Sequence, residues 1–285
     1  METAGVRIIM NNILSIDLEE YYQSILTMGE EEYPRWPGRL EISTGKVLDL
    51  LSEFGIRATF FVSGYVARHY PELVRRIHEA DHEIASHGFT HSLVYRMSPE
   101  SFREDLTRTR EALAQCLNED KILGFRAPWW SITAKCPWVW EILEQSGFRY
   151  DSSVNPIRMR FYGIPGAPLD PYQVSGTNFW EFPPATLEIM GIRLSIAGGF
   201  YWRHYPLPLI LWGLRRLNAQ GLPAVCYFHP WELDNEEPRI GGLPLEQRII
   251  HYSGRKGLEK KIRRILSSFN FGSFRDVFAK EKGWF

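Results

Sequence analysis

The chain has 285 residues, 44% hydrophobic and 24% charged, a composition typical of a soluble globular protein with one large α/β domain or two smaller ones. Its formal net charge of −1, without a long Lys/Arg run, argues against a nucleic-acid partner. Met1–Arg7 opens with an acid, and no segment reaches the about eighteen consecutive apolar residues of a membrane span, so we expect neither a signal peptide nor a transmembrane segment.

The first half of the chain predicts strands that alternate with helices. An apolar run predicts a strand over Ile8–Ile16 that leads into Asp17-Leu18-Glu19-Glu20, and two prolines predict a loop over Tyr21–Arg39. A helix capped by Ser43 or Thr44 and stopped by Gly55 follows. The other elements predicted in this half are a strand over Ile56–Val62, a helix from Pro71 to Ala80, a strand over His82–Ser86, a helix from Ser98-Pro99 and a strand over Ile122–Phe125.

The second half continues the alternation after a long interruption. Residues 155–178 are rich in proline and glycine and predict a surface loop. The elements predicted around it are a helix over Trp138–Gln145, strands over Phe148–Tyr150 and Phe179–Pro183, a helix over Leu207–Leu217, a strand over Ala224–Phe228 and a basic helix over Leu258–Phe269. We interpret the cations of this last helix as a solvated face rather than a membrane anchor.

Strands that alternate with helices predict one parallel α/β layer system, closed or nearly closed. Polar side chains follow several of these strands: Asp17, Glu19, Glu20, His87, His91, Arg126, Asp151 and His229. Because the carboxyl ends of parallel strands share one rim of a barrel, we expect these groups to form one site, with His229 arriving from the other side of the rim.

His87 and His91 are the centre of this predicted site. On a helical turn their spacing would place both rings on one face, where they could bind one divalent ion; two partly exposed histidines near a turn are the alternative. Two imidazoles and a carboxylate would hold a cation such as Zn²⁺ and leave room for a water whose pKa falls to about 7. A second carboxylate, held ionised by Arg126, could accept the water proton, and His229 could protonate a departing amine. The pattern therefore predicts metal-assisted hydrolysis of an amide.

Two other metal-site patterns fail. His82-Glu83-Ile84-Ala85-Ser86 begins like the zinc-protease HExxH signature, but its last position is serine. Cys116, Cys136 and Cys226 are scattered and odd in number, without metal-ligand spacing. We interpret them as reduced and structural, which favours the cytoplasm.

The chain resembles the polysaccharide deacetylase (NodB-homology, carbohydrate esterase family 4) superfamily. Within it, the chain is most similar to the branch associated with bacterial exopolysaccharide gene clusters and the exosortase/PEP-CTERM system. The similar segments, in family order over roughly residues 10–255, are Ser15-Ile16-Asp17-Leu18-Glu19-Glu20-Tyr21-Tyr22, Arg57-Ala58-Thr59-Phe60-Phe61-Val62, His82-Glu83-Ile84-Ala85-Ser86-His87-Gly88-Phe89-Thr90-His91, Gly124-Phe125-Arg126-Ala127-Pro128, Tyr150-Asp151-Ser152-Ser153 and Phe228-His229-Pro230-Trp231-Glu232.

The resemblance implies an α/β fold, a distorted (β/α) barrel with about seven parallel strands. We expect a single catalytic domain over 1–285, with a core over about 10–255 and a C-terminal helical extension over 256–285. The implied reaction removes N-acetyl groups from amino sugars of an exopolysaccharide or its precursor, with Zn²⁺, or alternatively Co²⁺ or Ni²⁺, as the cofactor. The substrate partner would be an N-acetylated oligo- or polysaccharide, and the oligomeric state is left open.

Two other functions stay open on this fold. A hydrolase of small amides or ureides would have a closed pocket in place of an open groove. A carbohydrate-binding homologue without turnover would need neither base nor acid, so Asp17, Arg126 and His229 argue against it.

Carried over position by position, the resemblance implies roles for individual residues. Asp17 would be the base, His87 and His91 metal ligands, Arg126 the group that orients the base, and His229 the acid. Asp151 matches a motif that supports His229 or lines the groove.

The acidic segment departs from the family pattern. The common motif has adjacent aspartates, the second of which binds the metal, whereas this chain has Asp-Leu-Glu-Glu. We place the acidic ligand at Glu19, because Asp17 and Glu19 point to one face of a strand end, with Glu20 as the close competitor. Trp129 and Trp130 replace the smaller residue often found after the Arg-x-Pro motif, and together with Trp231 they are the predicted substrate-binding residues.

Overall fold

The computed structural model describes residues 11–25, 29–117, 121–160 and 162–279. Met1–Arg7 and the first three residues of the predicted strand Ile8–Ile16 lie outside this part of the chain. Its strands are β1 (Asn11–Leu18), β2 (Thr59–Val62), β3 (Glu83–Ser86), β4 (Gly124–Phe125), β5 (Tyr150–Asp151), β6 (Tyr172–Gln173), β7 (Trp180–Glu181), β8 (Thr186–Ile189), β9 (Ile192–Ser195), β10 (Val225–Phe228) and β11 (Asn270–Gly272).

The helices lie mainly between these strands in sequence. They are α1 (Leu40–Glu53), α2 (Gly64–His69), α3 (Pro71–Glu79), α4 (Pro99–Leu117), α5 (Val139–Gln145), α6 (Gly199–His204), α7 (Leu207–Ala219), α8 (Leu245–Tyr252) and α9 (Leu258–Leu266). Short 3₁₀ helices occupy Glu30–Arg35, Val94–Arg96, Pro128–Trp130 and Pro230–Leu233, and a π-helical turn covers Arg275–Ala279.

The main sheet carries seven parallel strands in the order β10-β1-β2-β3-β4-β5-β7, as the predicted fold requires. β6 pairs antiparallel with β7, β11 pairs with the start of β1, and β8 and β9 form a separate hairpin. Irregular backbone spans the gap between the two ends of the curled sheet: Phe182 N–H donates to Asp151 O at 2.8 Å, and Ala185 N–H donates to Val225 O at 2.9 Å. The predicted distorted barrel is therefore confirmed.

Alternation along β1 separates the two faces of the barrel. Leu14, Ile16 and Leu18 pack into the large cluster between sheet and helices, whereas Ile13 belongs to the cluster in the lumen. Because successive side chains of a strand point to opposite faces, Ser15 and Asp17 face the lumen with Ile13. Phe274 fills the lumen from below, stacked on Tyr150 with ring centroids 4.7 Å apart.

The structure corrects several predicted boundaries. α1 begins at Leu40 and not at Ser43 or Thr44, which are buried inside the helix. β1 continues through Asp17 to Leu18, and the predicted loop Tyr21–Arg39 contains the 3₁₀ helix Glu30–Arg35.

The elements that escaped prediction in the described chain include α2, α6, α8, the β8–β9 hairpin and the short strands β6 and β11. Helices of six to eight residues span about two turns, too few to establish a helical period in the sequence. The hairpin carries exposed apolar side chains at Met190 and Ile192, so it lacks clean alternation of apolar and polar residues.

Candidate active site

Five of the residues predicted for catalysis or metal binding line one cavity of about 210 Å³ at the carboxyl ends of the strands: Asp17, Glu19, His87, His91 and His229. Asp17 is the penultimate residue of β1, His87 follows β3 directly, and His229 follows β10. Since parallel strands end at the same edge, the topology brings these distant segments together.

The position of His229 differs from the prediction. β10 pairs directly with β1, with Ile16 opposite Phe228, so His229 lies beside Asp17 and not across the rim. Its Nε2 atom is 3.9 Å from Asp17 Oδ2 and 3.7 Å from Glu19 Oε1.

Glu19, His87 and His91 form a potential metal-ligand set, with one ligand atom of each within 4.8 Å of the others. Glu19 Oε2 lies 3.9 Å from His87 Nε2 and in direct contact with His91 Nε2. His87 Nδ1 is 2.7 Å from Arg126 O, and only a protonated nitrogen can donate to a carbonyl, so Nε2 keeps its lone pair. The spacing predicts that the two histidines share a helical turn, but in the structure they do not. His91 reaches the site from a loop, with φ of 56°.

The electrostatics of this set suit a cation. Burial alone would raise the pKa of Glu19, but the charges of His91 and His229 outweigh it and lower the pKa to about 2. Burial lowers the pKa of His87 to about 4, so the ring is neutral near pH 7. Glu19 Oε2 is buried, and its close polar neighbour is His91 Nε2. An anionic oxygen beside imidazole nitrogens that can offer lone pairs fits a divalent cation.

Glu20 lies apart from the histidines. Its carboxylate accepts hydrogen bonds from the backbone N–H groups of Arg39 and Leu40, at 2.9 and 3.1 Å, and from the Tyr70 hydroxyl at 2.7 Å. Burial raises its pKa above the ordinary value, although these donors oppose that effect. Glu20 therefore caps the N-terminus of α1 from a distant part of the chain, which explains why the helix starts before Ser43.

Arg126 fixes Asp17 from below. Its Nη1 donates to Asp17 Oδ1 and to Ser15 Oγ, both at 2.7 Å, and its Nε and Nη2 donate to the carbonyl and hydroxyl of Ser152 at 2.9 Å. The guanidinium also lies 4.1 Å from the centroid of the Phe61 ring. These hydrogen bonds and the Phe61 ring hold the Arg126 guanidinium in one orientation. Because Arg126 binds Oδ1 of Asp17, the other carboxylate oxygen, Oδ2, is directed toward His229.

Glu232 orients His229, a role that sequence reasoning did not assign. Its Oε2 accepts from the His229 backbone N–H at 2.9 Å and lies 3.1 Å from Nδ1, while its Oε1 is 2.8 Å from Arg203 Nε. Burial disfavours the imidazolium, but the carboxylates of Glu19, Glu232 and Asp17 outweigh it and raise the pKa of His229 to about 9. His229 is therefore protonated near neutral pH, with Nε2 exposed to the cavity.

Asp151 does not contact or orient His229. It is fully buried, and Ser153 donates to it through Oγ at 2.5 Å and through the backbone N–H at 3.1 Å. Its strand neighbour is Glu181, a second fully buried carboxylate. The expectation that Asp151 supports His229 or lines the groove is thus corrected: the group at His229 Nδ1 is Glu232.

Trp231 lines the cavity and also holds the Glu19 carboxylate in place. Its indole is 5% exposed, and its Nε1 donates to Glu19 Oε1 at 3.0 Å. The ring lies between His229 and His251, with centroid distances of 4.9 and 4.6 Å and interplanar angles of 24° and 22°. His251 is itself held by Ser24 and by Glu237, at 2.7 and 2.8 Å.

Trp129 and Trp130 both line the cavity and both adopt left-handed backbone conformations, with φ of 55° and 53°. Such conformations are costly for bulky residues and occur where the surrounding packing enforces them. Trp130 is buried against Tyr227 and Arg126, whereas Trp129 is half-buried and reaches the surface. Trp129 is therefore the more accessible of the two predicted substrate contacts.

Two further cavities lie beside this one. A cavity of about 540 Å³ shares His91 and Trp129 with it, and another of about 540 Å³ shares Met159. The candidate site therefore has a neighbouring cavity on the side of Trp129 and another on the side of Met159.

Two family profiles match the chain. Residues 37–150 match the polysaccharide deacetylase family, and residues 152–279 match a domain of unknown function, DUF3473. His87, His91 and Arg126 lie in the first range and His229 in the second, while Asp17 and Glu19 precede both.

Similar proteins cover only part of this chain in sequence. A chitooligosaccharide deacetylase of Rhizobium leguminosarum is 37% identical over 70 residues, 25% of this chain and 33% of the relative. A peptidoglycan deacetylase of Helicobacter pylori is 28% identical over 114 residues, 40% of this chain and 38% of the relative. The chain therefore spans well under two thirds of either protein.

A structural neighbour covers the whole fold. The crystal structure of a Mycobacterium smegmatis protein described as a candidate polysaccharide deacetylase aligns with a TM-score of 0.62 at 20% identity, over 100% of this chain and 95% of that one. At this identity the likeness concerns the fold alone.

Proposed function

Because residues 37–150 match the polysaccharide deacetylase family, we propose that the chain hydrolyses N-acetyl groups on the amino sugars of a polysaccharide, releasing acetate and a free amine. The observation that carries this proposal is the meeting, in one cavity, of the ligand set Glu19–His87–His91, the fixed carboxylate Asp17 and the protonated His229. Each of these groups has a separate task in cleaving an amide, and a carbohydrate-binding site would need none of them.

We assign Glu19, His87 and His91 as the residues that would hold a divalent cation, with Zn²⁺ favoured by two nitrogen donors and one oxygen donor. When bound, such an ion supplies a Lewis acid and lowers the pKa of a water molecule. His87 suits this task because Arg126 O binds its Nδ1, and Glu19 because the Trp231 indole fixes its Oε1.

The protein residues divide the proton transfers between them. Asp17 accepts the proton of the attacking water at Oδ2, since Arg126 occupies Oδ1. His229 donates the proton at Nε2 to the departing nitrogen, because Glu232 holds Nδ1 and stabilises the imidazolium. Arg203 in turn keeps Glu232 in place at 2.8 Å.

We propose a polymer as the substrate, specifically a bacterial exopolysaccharide or its precursor. Two neighbouring cavities support this, since one shares Trp129 and the other Met159 with the site and an elongated substrate could occupy them. The relatives named for chitooligosaccharide and peptidoglycan deacetylation support the N-acetylated sugar as the unit attacked.

Two further proposals concern organisation and location. We propose that both matched segments form one catalytic domain, because β10 in the second pairs with β1 and contributes His229 beside Asp17. We propose the cytoplasm as the compartment, because Cys116, Cys136 and Cys226 are buried free thiols. In the described part of the chain, the helices are all too short or too polar to span a bilayer.

An acetate-release assay on N-acetylated oligosaccharides, run with chelator and then with Zn²⁺, Co²⁺ or Ni²⁺ restored, tests the function. We expect metal-dependent acetate release that falls by about 10²- to 10⁴-fold in Asp17→Asn and His229→Gln. Release from small amides but not from oligosaccharides would favour the small-amide hydrolase. Oligosaccharide binding without acetate release under any metal would refute the enzyme proposal.

A further inference from the structure

Exposed apolar and basic side chains surround the mouth of the catalytic cavity. The apolar members are Met159, Phe200, Leu245 and Ile249, which are 49%, 36%, 69% and 49% exposed. The basic members are Arg158, Arg160 and Arg248, all exposed. We call these seven residues the mouth rim.

Contacts place the rim on one side of the molecule, at the cavity. Met159, Arg160 and Phe200 line the cavity itself. Leu245 and Ile249 each precede a residue of α8 that lines it, Glu246 and Ile250.

Two polar contacts fix α8 against the other rim segments. Arg160 Nη1 lies 3.3 Å from Glu246 Oε2, which joins the loop of Met159 to α8. The His204 ring stacks on Phe200 and lies 2.8 Å from Ser253 Oγ, which joins α6 to the end of α8. The loop of Met159, α6 and α8 are therefore held together beside the cavity.

The charge of the rim indicates what it faces. The whole chain carries a formal charge of −1, and Glu246 offsets the charge of Arg160, so the positive charge of the rim comes from Arg158 and Arg248. Of the carboxylates that line the cavity, Asp17 and Glu19 are buried, and Glu246 is paired with Arg160. Arginines interleaved with exposed methionine, leucine, isoleucine and phenylalanine match the chemistry of an anionic bilayer surface, where apolar side chains enter the interface and cations meet the phosphates.

We propose that the mouth rim docks the protein on an anionic lipid bilayer, so that the catalytic groove opens toward saccharide held at that surface. This inference rests on the proposed function, because docking would bring the groove to a membrane-tethered or lipid-linked saccharide substrate. The docking itself depends only on side chains at the surface. It can therefore be measured without turnover.

Vesicle co-sedimentation of the full chain tests the docking. We expect binding to vesicles of phosphatidylglycerol and phosphatidylethanolamine, weakened by salt, and little binding to phosphatidylcholine. Leu245→Ser/Ile249→Ser should weaken the partition by about tenfold or more. Arg158→Ser and Arg248→Ser should each weaken it by about fivefold.

Matched controls come from exposed residues of helices that do not line the catalytic cavity. Ile42→Ser, 52% exposed on α1, and Arg103→Ser, exposed on α4, should bind the anionic vesicles like the parent protein. Rim variants that bind as well as Ile42→Ser would overturn the proposal. Binding to a soluble acidic polysaccharide, but not to anionic vesicles, would also overturn it.

Acetate release from soluble oligosaccharides separates this inference from the function on which it rests. Leu245, Ile249 and Arg248 line neither the catalytic cavity nor the two cavities beside it, so their variants should release acetate at the parental rate. Intact acetate release without vesicle binding refutes the docking alone. Vesicle binding without acetate release from any substrate refutes the function and leaves the docking standing.

Discussion

Replacing Trp231 with phenylalanine separates two contributions of one side chain. The phenyl ring keeps the aromatic surface between His229 and His251 but removes the indole N–H that donates to Glu19 Oε1 at 3.0 Å. Because Glu19 is fully buried, no solvent donor can replace that N–H without a local rearrangement. We therefore expect the affinity for Zn²⁺ to fall while the fold survives.

The size of the effect follows from the kind of hydrogen bond that is lost. A hydrogen bond to a charged group contributes about 1.5–3 kcal/mol, and loss of an outer partner of a metal ligand costs about 10- to 100-fold in metal affinity. Competition with a chromophoric zinc chelator measures this directly and needs no substrate. We expect a dissociation constant for Zn²⁺ about 10- to 100-fold higher in Trp231→Phe than in the parent protein.

Trp212 provides the matched control, because it is 44% exposed on α7, outside the cavity lining. Trp212→Phe should bind Zn²⁺ like the parent protein. A Trp231→Phe variant with unchanged zinc affinity and an unchanged melting temperature would refute the reasoning, since the lost N–H would then have had no effect on Glu19.

Three other perturbations probe the neighbouring carboxylates. Glu20→Ala should leave the zinc affinity within about twofold but lower the free energy of unfolding in urea by about 1–3 kcal/mol, because α1 loses its cap; a loss of zinc affinity would instead make Glu20 a ligand. Glu232→Gln removes a carboxylate that raises the pKa of His229, so the alkaline limb of the kcat/KM profile should move to lower pH, whereas an unmoved limb would assign that limb to another group. Burial raises the pKa of Glu181 above its unfolded value, so folding stability falls as the pH rises from the unfolded pKa through the folded one; Glu181→Gln should remove this loss and raise the melting temperature at alkaline pH by roughly 2 °C, and an equal or lower melting temperature there would argue against a buried, protonated carboxyl group.

Much of the site could be predicted because it follows a rule of parallel sheets. Apolar runs mark the strands, and the polar residues after them must meet at the rim whatever the details of the helices. Asp17, His87 and His229 were found in this way, although they lie far apart in sequence. The alternation rule also favoured Glu19 over Glu20, and in the structure Glu19 is the one beside the histidines.

Contacts between distant segments set the limit of that reasoning. Nothing near Leu40 in the sequence indicates that a carboxylate twenty positions earlier caps α1, so the helix start was placed at Ser43 or Thr44. The order of strands around the barrel was equally hidden. Local patterns could not reveal that β10 lies next to β1, and His229 was therefore expected on the far side of the rim.

Asp151 and Glu232 show that the face to which a strand residue points, and the geometry of a turn, decide which carboxylate can reach His229. Tyr150 belongs to the lumen cluster, so the next residue, Asp151, points to the opposite face, where Glu181 takes the corresponding position on β7. A residue at the right end of a strand but on the wrong face cannot reach the cavity. Glu232 reaches His229 because three residues complete one turn of the 3₁₀ helix Pro230–Leu233, which places its carboxylate over the imidazole. Since His229 and Glu232 lie on one turn, their geometry depends on Arg203 and on the turn itself, and not on the distant strand that carries Asp151.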